Sequence, residues 1–349
     1  MATKIRVVIG VPMTQAQVEQ IRAVDTRVEV EYDPSFFPAE PALGDHHGHT
    51  TQSLSDAETD RFYDYLASGE VVYGVPQLRP AGLKRLVEAN PALRWVHAAQ
   101  AGAGPFLTHA RLTDEQLARV TVTTSAGVHA GPLAEFAIFG MLAGSQDLAR
   151  LKRLQSAREW PGRLLTAQLS GATCVIVGAG GIGKALAARA KAMGMYTIGV
   201  KRRVEDVEGF DEIVSSNTLR EVAARADHLV VTLPGTPHTE KMVDADVLAA
   251  CKKGVVVVNV GRGTVIDEAA LIEALRSGHV SSAALDVFER EPLPTDSPLW
   301  EMPNVIVSPH SATLDTGEAQ RIVDLFSDNL RRYIDGAPLR NVLDPVQGY

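Results

Sequence analysis

The chain has 349 residues, 45% hydrophobic and 22% charged, an ordinary globular composition with room for two domains of roughly 100–200 residues each. Its formal net charge of -8 argues against a general nucleic-acid surface, so a local cluster of cations becomes informative. No stretch approaches the roughly 18 apolar residues of a membrane span, and the N-terminal "IRVVIGV" is too short for an export signal, so a cytosolic protein is expected.

Short β-branched runs alternate with helical patterns almost throughout, the rhythm of βαβ units on a parallel sheet. "IRVVIGV" (5–11), "RVEVEY" (27–32), "VVYGV" (71–75), "RWVHAA" (94–99) and "VTVTT" (120–124) read as strands, and "AQVEQIRAV" (16–24) as the first helix. Residues 33–55 are rich in Pro, Gly and polar residues and read as a long loop. Its tract His46, His47, Gly48, His49 has no Cys or acidic pair at ligand spacing, so exposed loop histidines are expected there and no metal.

A long helical pattern, "AGPLAEFAIFGMLAGSQDLARLKRL" (130–154), leads into a second series. Its strands are "TCVIVG" (173–178), "YTIGV" (196–200), "HLVVTL" (228–233), "GVVVVNV" (254–260), "SAALDV" (282–287) and "VIVS" (305–308), and six such strands suit one doubly wound domain. Cys174 and Cys251 lie in or beside apolar runs and read as buried thiols. The last helix, within residues 316–336, has an apolar stripe at Ile322, Leu325, Phe326, Leu330 and Ile334, with Gly336 where a C-cap belongs.

Gly178, Gly180 and Gly183 give G-x-G-x-x-G between a strand and a helix whose stripe is Ile182, Leu186, Ala190 and Met193, ended by Gly194. Gly178 permits the tight turn. Gly180 lets backbone approach a pyrophosphate at the helix N-terminus, and Gly183 allows close helix–strand packing. Gly181 and Ile182 complete the phosphate-binding set. An NAD site places an Asp or Glu about 20 residues on, to bind the ribose 2′-hydroxyl. Here Lys201, Arg202 and Arg203 stand instead, and they attract the 2′-phosphate of NADP. A charge-assisted hydrogen bond contributes on the order of 1.5–3 kcal/mol, so one or two decide cofactor choice by roughly ten- to a thousandfold. NADP is the expected cofactor, with NAD second.

Four later segments occur in a telling order: "LPGTPHTEKMVD" (233–244), "VVVVNVGRGTVIDEAALIEAL" (255–275), "AALDVFEREPLP" (283–294) and "NVIVSPHSA" (304–312). With the glycine motif, they closely resemble the D-isomer-specific 2-hydroxyacid dehydrogenases, of the NADP-preferring glyoxylate/hydroxypyruvate reductase type. Upstream, "LRWVHAAQAGAG" (93–104) and "AGPLAEFAIFGMLA" (130–143) match that family's substrate-domain loop and the helix after it. The resemblance covers most of the chain and is weakest in residues 1–90.

The resemblance implies an α/β fold of two doubly wound parallel-sheet domains. A Rossmann cofactor domain (127–312) is inserted into a flavodoxin-like substrate domain (1–126 and 313–349), and a cleft between them holds both ligands. Arg262 matches the arginine that holds the substrate's carboxylate and keto oxygen, a task for a planar two-donor guanidinium. His310 matches the general acid, and Glu291 the partner that should raise its pKa. Asp286 matches the contact to the nicotinamide carboxamide. Residues 232–239, with Leu233, Pro234 and Thr239, should border the adenosine half, and Val260 joins the cofactor set. Backbone amides around Gly102, Ala103 and Gly104 should bind the substrate carboxylate beside Arg262 and His310.

The chain departs from the common P-H-I-A-G pattern with Ser311 and Thr313, a more polar pocket edge. Formate dehydrogenases of the superfamily carry glutamine where Glu291 stands, which counts against formate oxidation. The implied reaction is hydride transfer from NADPH to a small 2-oxo acid such as glyoxylate or hydroxypyruvate, giving the D-2-hydroxy acid. A homodimer through the helix starting near Pro132 is expected, with no nucleic-acid or membrane partner. The alternatives are a larger 2-oxo acid substrate and a nucleotide-sensing corepressor role, known among members of the family.

Overall fold

Runs of valine that bury both faces of a strand build two parallel sheets. The computed structural model describes residues 4–37, 55–74, 80–101 and 103–344. The chain divides into two compact units, one of Met1–Val128 with Leu314–Tyr349, the other of His129–Thr313. The tract His46–His49 and Gly102 lie outside the described residues.

In the first unit, β1 (Ile5–Ile9), α1 (Gln15–Arg22), β2 (Val28–Glu31), α2 (Asp56–Leu66) and β3 (Val71–Tyr73) are followed by α3 (Pro80–Ala89) and β4 (Trp95–Ala98). Then come α4 (Gly104–Ala110), α5 (Asp114–Arg119) and β5 (Thr121–Thr124). Among the described residues these strands form one five-stranded sheet in the order β2-β1-β3-β4-β5, all pairs parallel. That is the flavodoxin-like order.

The second unit begins with α6 (Ala130–Ser145) and α7 (Leu148–Ala157). It continues through β6 (Thr173–Val177), α8 (Gly181–Ala192), β7 (Tyr196–Lys201), β8 (Glu212–Ser215), α9 (Leu219–Ala223) and β9 (His228–Val231). It ends with α10 (Ala245–Ala250), β10 (Val255–Asn259), α11 (Glu268–Arg276), β11 (Val280–Leu285) and β12 (Val305–Val307). The sheet order is β12-β11-β10-β9-β6-β7-β8, a Rossmann order with one further strand at the β12 edge. Successive residues feed opposite faces. Val175, Val177, Leu229, Val231 and Val257 pack into one core layer, and Cys174, Ile176, Val230, Val256 and Val258 into the other. The chain then returns to the first unit as α12 (Glu318–Ile334). Ile322, Val323, Phe326 and Leu330 join Val7, Ile9, Tyr73 and Trp95 there.

Three expectations are corrected. The second series has seven strands rather than six, and β8 is the addition, because an edge strand half open to water carries no continuous apolar run. The long helical pattern is two helices, broken where Asp147 turns left-handed (φ 50°) and caps α7 through the Arg150 amide. Met193 is exposed rather than part of the α8 stripe, since that helix has already ended at Ala192.

Two buried histidines tie stability to pH. His97 on β4 is sealed from solvent between the Thr123 (2.9 Å) and Ser125 (3.2 Å) hydroxyls. Desolvation pushes its pKa down to about 3. Desolvation takes His228 on β9 to about 4, partly opposed by Asp227. The unfolded chain protonates both below about 6.5, so across that window it binds protons the folded chain refuses. Stability therefore falls as pH falls, by up to about 1.4 kcal/mol per pH unit for each histidine. We expect the melting temperature to drop between pH 6.5 and 4.5, and less steeply in His228→Gln. An unchanged slope in that variant would rule out the linkage.

Candidate active site

All seven strands of the second unit run the same way, so their carboxyl ends share one edge of the sheet. β6 pairs with β7 on one side and with β9 on the other, which makes it the point where strand order reverses. Gly178 follows β6 with φ 120°, a conformation that residues bearing a Cβ avoid. The Thr232 hydroxyl, just past β9, donates to its carbonyl at 2.8 Å. A Cβ on Gly183 would stand 2.0 Å from that same carbonyl oxygen, so only glycine lets α8 begin this close to β6. Gly180 is the N-cap of α8 and no side chain caps it. A Cβ on Gly180 would meet no protein atom within 4 Å. The opening amides at Gly181 and Ile182 thus suit a phosphate group.

Lys201 ends β7, and Arg202 and Arg203 follow it, exposed. The Lys201 ammonium meets the carboxylate of Glu205, a partner that the cation pattern did not announce. Lys201 foremost, with Arg203 and Lys184, holds the Glu205 carboxyl below the usual carboxylate range. Leu233 and Pro234 open a turn that closes on itself, with the Thr239 hydroxyl donating to the Pro234 carbonyl at 2.7 Å. Val260 is buried, and its amide donates to the Val231 carbonyl at 3.0 Å.

Arg262 lies just beyond β10 in extended backbone, with its side chain exposed. Its Nη1 donates to the Gly261 carbonyl at 2.7 Å, and among the described residues no carboxylate pairs with it. The flanking glycines answer to close approach rather than to a left-handed turn. A Cβ on Gly261 would stand 2.4 Å from the Leu233 carbonyl oxygen, and one on Gly263 1.8 Å from the Phe288 carbonyl carbon. Buried Asn259 braces this turn, accepting from the Gly261 amide (3.0 Å) and donating to the Arg262 carbonyl (3.1 Å).

The structure brings Glu291 and His310 together, with Oε2 2.8 Å from Nδ1. The other Glu291 oxygen accepts from the Phe288 amide at 3.1 Å, so the carboxylate is gripped at both ends. Asp286, 1% exposed at the end of β11, accepts through Oδ1 from the Ser308 hydroxyl (2.6 Å) and the amides of Ser311 (2.8 Å) and Ala312 (3.0 Å). In the first unit, buried Ala103 is the N-cap of α4 and Gly104 its first residue. Among the described residues no group of three His, Cys, Asp or Glu could hold a metal ion, and no helix is long and apolar enough to cross a membrane. Asn259, Ser308 and Glu205 escaped the sequence reading, since nothing in their spacing ties them to partners in the fold.

Residues 138–312, half of the chain, match the family model for the D-isomer specific 2-hydroxyacid dehydrogenase NAD binding domain. A D-3-phosphoglycerate dehydrogenase of Mycobacterium leprae is 36% identical over 236 residues, 67% of this chain and 44% of that protein. The chain thus spans less than half the length of that relative. Two solved structures match across nearly all of both chains. A D-isomer specific 2-hydroxyacid dehydrogenase of Xanthobacter autotrophicus Py2, in complex with NADPH and MES, gives a TM-score of 0.76 at 29% identity, covering 99% of this chain and 100% of that one. An NADPH-dependent glyoxylate/hydroxypyruvate reductase of Sinorhizobium meliloti, in complex with NADP and sulfate, gives 0.73 at 27% identity, again covering 99% and 100%.

The crowding at Gly263 is directly testable. Gly263→Ala forces a carbon into the Phe288 carbonyl and should destabilise the second unit by about 1–3 kcal/mol or more in denaturant unfolding. Gly180→Ala, where a Cβ is free of contact, should cost much less. Equal losses would show that the contact does not decide.

Proposed function

Since the chain belongs to the D-isomer-specific 2-hydroxyacid dehydrogenase family, we propose that it is a cytosolic reductase taking hydride from NADPH to a small 2-oxo acid. The observation that carries this reading is the His310–Glu291 pair, at the same sheet edge as Arg262, which has no acidic partner among the described residues. Arg262 would hold the substrate carboxylate through two parallel donors and present the keto carbon. Gly178, Gly180, Gly181, Ile182 and Gly183 would take the cofactor's pyrophosphate, Asp286 its carboxamide, and Leu233, Pro234, Thr239 and Val260 its borders. When bound, the reduced nicotinamide supplies a hydride to the keto carbon. Negative charge then grows on the keto oxygen. His310 faces Glu291 through Nδ1, which leaves Nε2–H to deliver the proton and complete the D-2-hydroxy acid.

Lys201, Arg202 and Arg203 at the end of β7 support NADPH over NADH, and the two solved relatives were crystallised with NADPH and with NADP. The reductase of Sinorhizobium meliloti supports glyoxylate or hydroxypyruvate as the substrate class. Initial rates with glyoxylate, run side by side with limiting NADPH and NADH, test this reading. We expect faster turnover with NADPH, and its loss in His310→Ala with NADPH affinity nearly kept. Preference for NADH would sink the phosphate clamp. No rate with either, across a panel of 2-oxo acids, would sink the enzyme reading and favour a nucleotide sensor.

A homodimer is part of the proposal. Trp160 and Leu165 are 93% and 98% exposed, and Phe139 and Leu151 are also open. So much apolar surface within residues 139–165 is costly in water and favours a second copy as its cover. Trp160→Ser combined with Leu165→Ser should convert a dimer into a monomer in sedimentation, whereas a wild-type monomer would refute the assignment.

A further inference from the structure

His310 is one of few residues bearing a Cβ that adopt left-handed backbone in this chain, with φ 53°. Such a conformation persists only where its surroundings over-determine it. Here the surroundings are five hydrogen bonds onto the end of β11. The Ser308 amide donates to the Leu285 carbonyl (2.9 Å) and the His310 amide to the Asp286 carbonyl (2.9 Å). The other three, from the Ser308 hydroxyl and the amides of Ser311 and Ala312, converge on Asp286 Oδ1. Pro309 has no N–H to contribute. Between the amides of Ser308 and His310, the Ser308 hydroxyl is therefore the donor that ties the segment down.

We infer that Ser308 is a positioning residue for the proposed proton transfer: its hydroxyl, buckled to Asp286, holds His310 in the backbone conformation that aims Nδ1 at Glu291. The inference rests on reading His310 as the acid, but the buckle is a property of the chain itself. Asp286 thereby serves as a hub, since Oδ1 collects the loop's donors while Oδ2 takes none of them. Without the serine hydroxyl, the segment 308–312 keeps its amide bonds but loses its anchor at the strand end. His310 can then relax away from its left-handed conformation, and Nδ1 leaves the carboxylate.

The test uses the full chain with Ser308→Ala, Ser308→Cys and Ser308→Thr. In Ser308→Ala, kcat with glyoxylate and NADPH should fall about ten- to a hundredfold, while KM for NADPH stays within about twofold. Ser308→Thr, which restores the hydroxyl, should recover most of the loss, and Ser308→Cys should fall between. A second readout needs no turnover. In the chain without cofactor, the ring ¹⁵N shifts of His310 should report one fixed Nδ1–H tautomer in wild type and Ser308→Thr, and a mixture in Ser308→Ala. If no 2-oxo acid is reduced by the wild type, the proposed function fails while the ring shifts still test the buckle. Unaltered ring shifts in Ser308→Ala and Ser308→Cys would overturn the inference, as would an unaltered kcat in an active enzyme.

Discussion

The candidate site depends on one constraint: the strands of the second unit must bury both faces and still pair every backbone group. β10 meets it with five buried residues, four of them valine, and each valine contributes on the order of 1.5–3 kcal/mol when taken from water. A strand so covered must sit inside a parallel sheet, with its connections crossing over on helices. Parallel pairing then delivers every carboxyl end to the same edge. Gly178, Thr232, Arg262, Asp286 and His310 are far apart in sequence, and each lies within a few residues of such an end. Packing that has nothing to do with chemistry thus gathers the chemical groups and holds them on rigid supports.

Charge is distributed along that edge with a purpose that the strand order makes plain. Cations gather at the end of β7, and Arg262 stands beyond β10, with β6 and β9 between those strands. A ligand pair with a phosphate at one end and a carboxylate at the other would meet a cation at each place. The acids are placed differently. Glu291 and Asp286 do not neutralise Arg262; they are spent on His310 and on the loop that carries it. Glu205 is the exception, since it sits against Lys201 and lends the basic cluster an anion of its own.

Much of this was legible in the sequence. The glycine pattern, the alternation of strand and helix, and the four motifs that carry the family resemblance all rest on local residue type and spacing. What escaped depends on contact across the fold. β8 has no apolar run because it lies at a sheet edge, and the helix break at Asp147 is a single left-handed residue inside an unbroken apolar pattern. The glycines beside Arg262 look like turn residues, yet their reason is the nearness of Leu233 and Phe288 backbone. The Ser308–Asp286 bond spans 22 positions, and nothing about a serine before a proline announces it.

The first unit is written in two pieces, and that sets an order of events during translation. Its sheet comes from residues before 128, but the helix that stacks Phe326 on Trp95, with centroids 4.9 Å apart, is made after the second unit. At ~5–20 residues per second, the ribosome spends on the order of 10–40 s on residues 129–313 before α12 emerges. Throughout that interval the nascent sheet has Tyr73 and Trp95 uncovered, and only at its end does the second unit have its full sequence, free to fold. The newborn chain is therefore most exposed to chaperones and proteases on its earliest-made part.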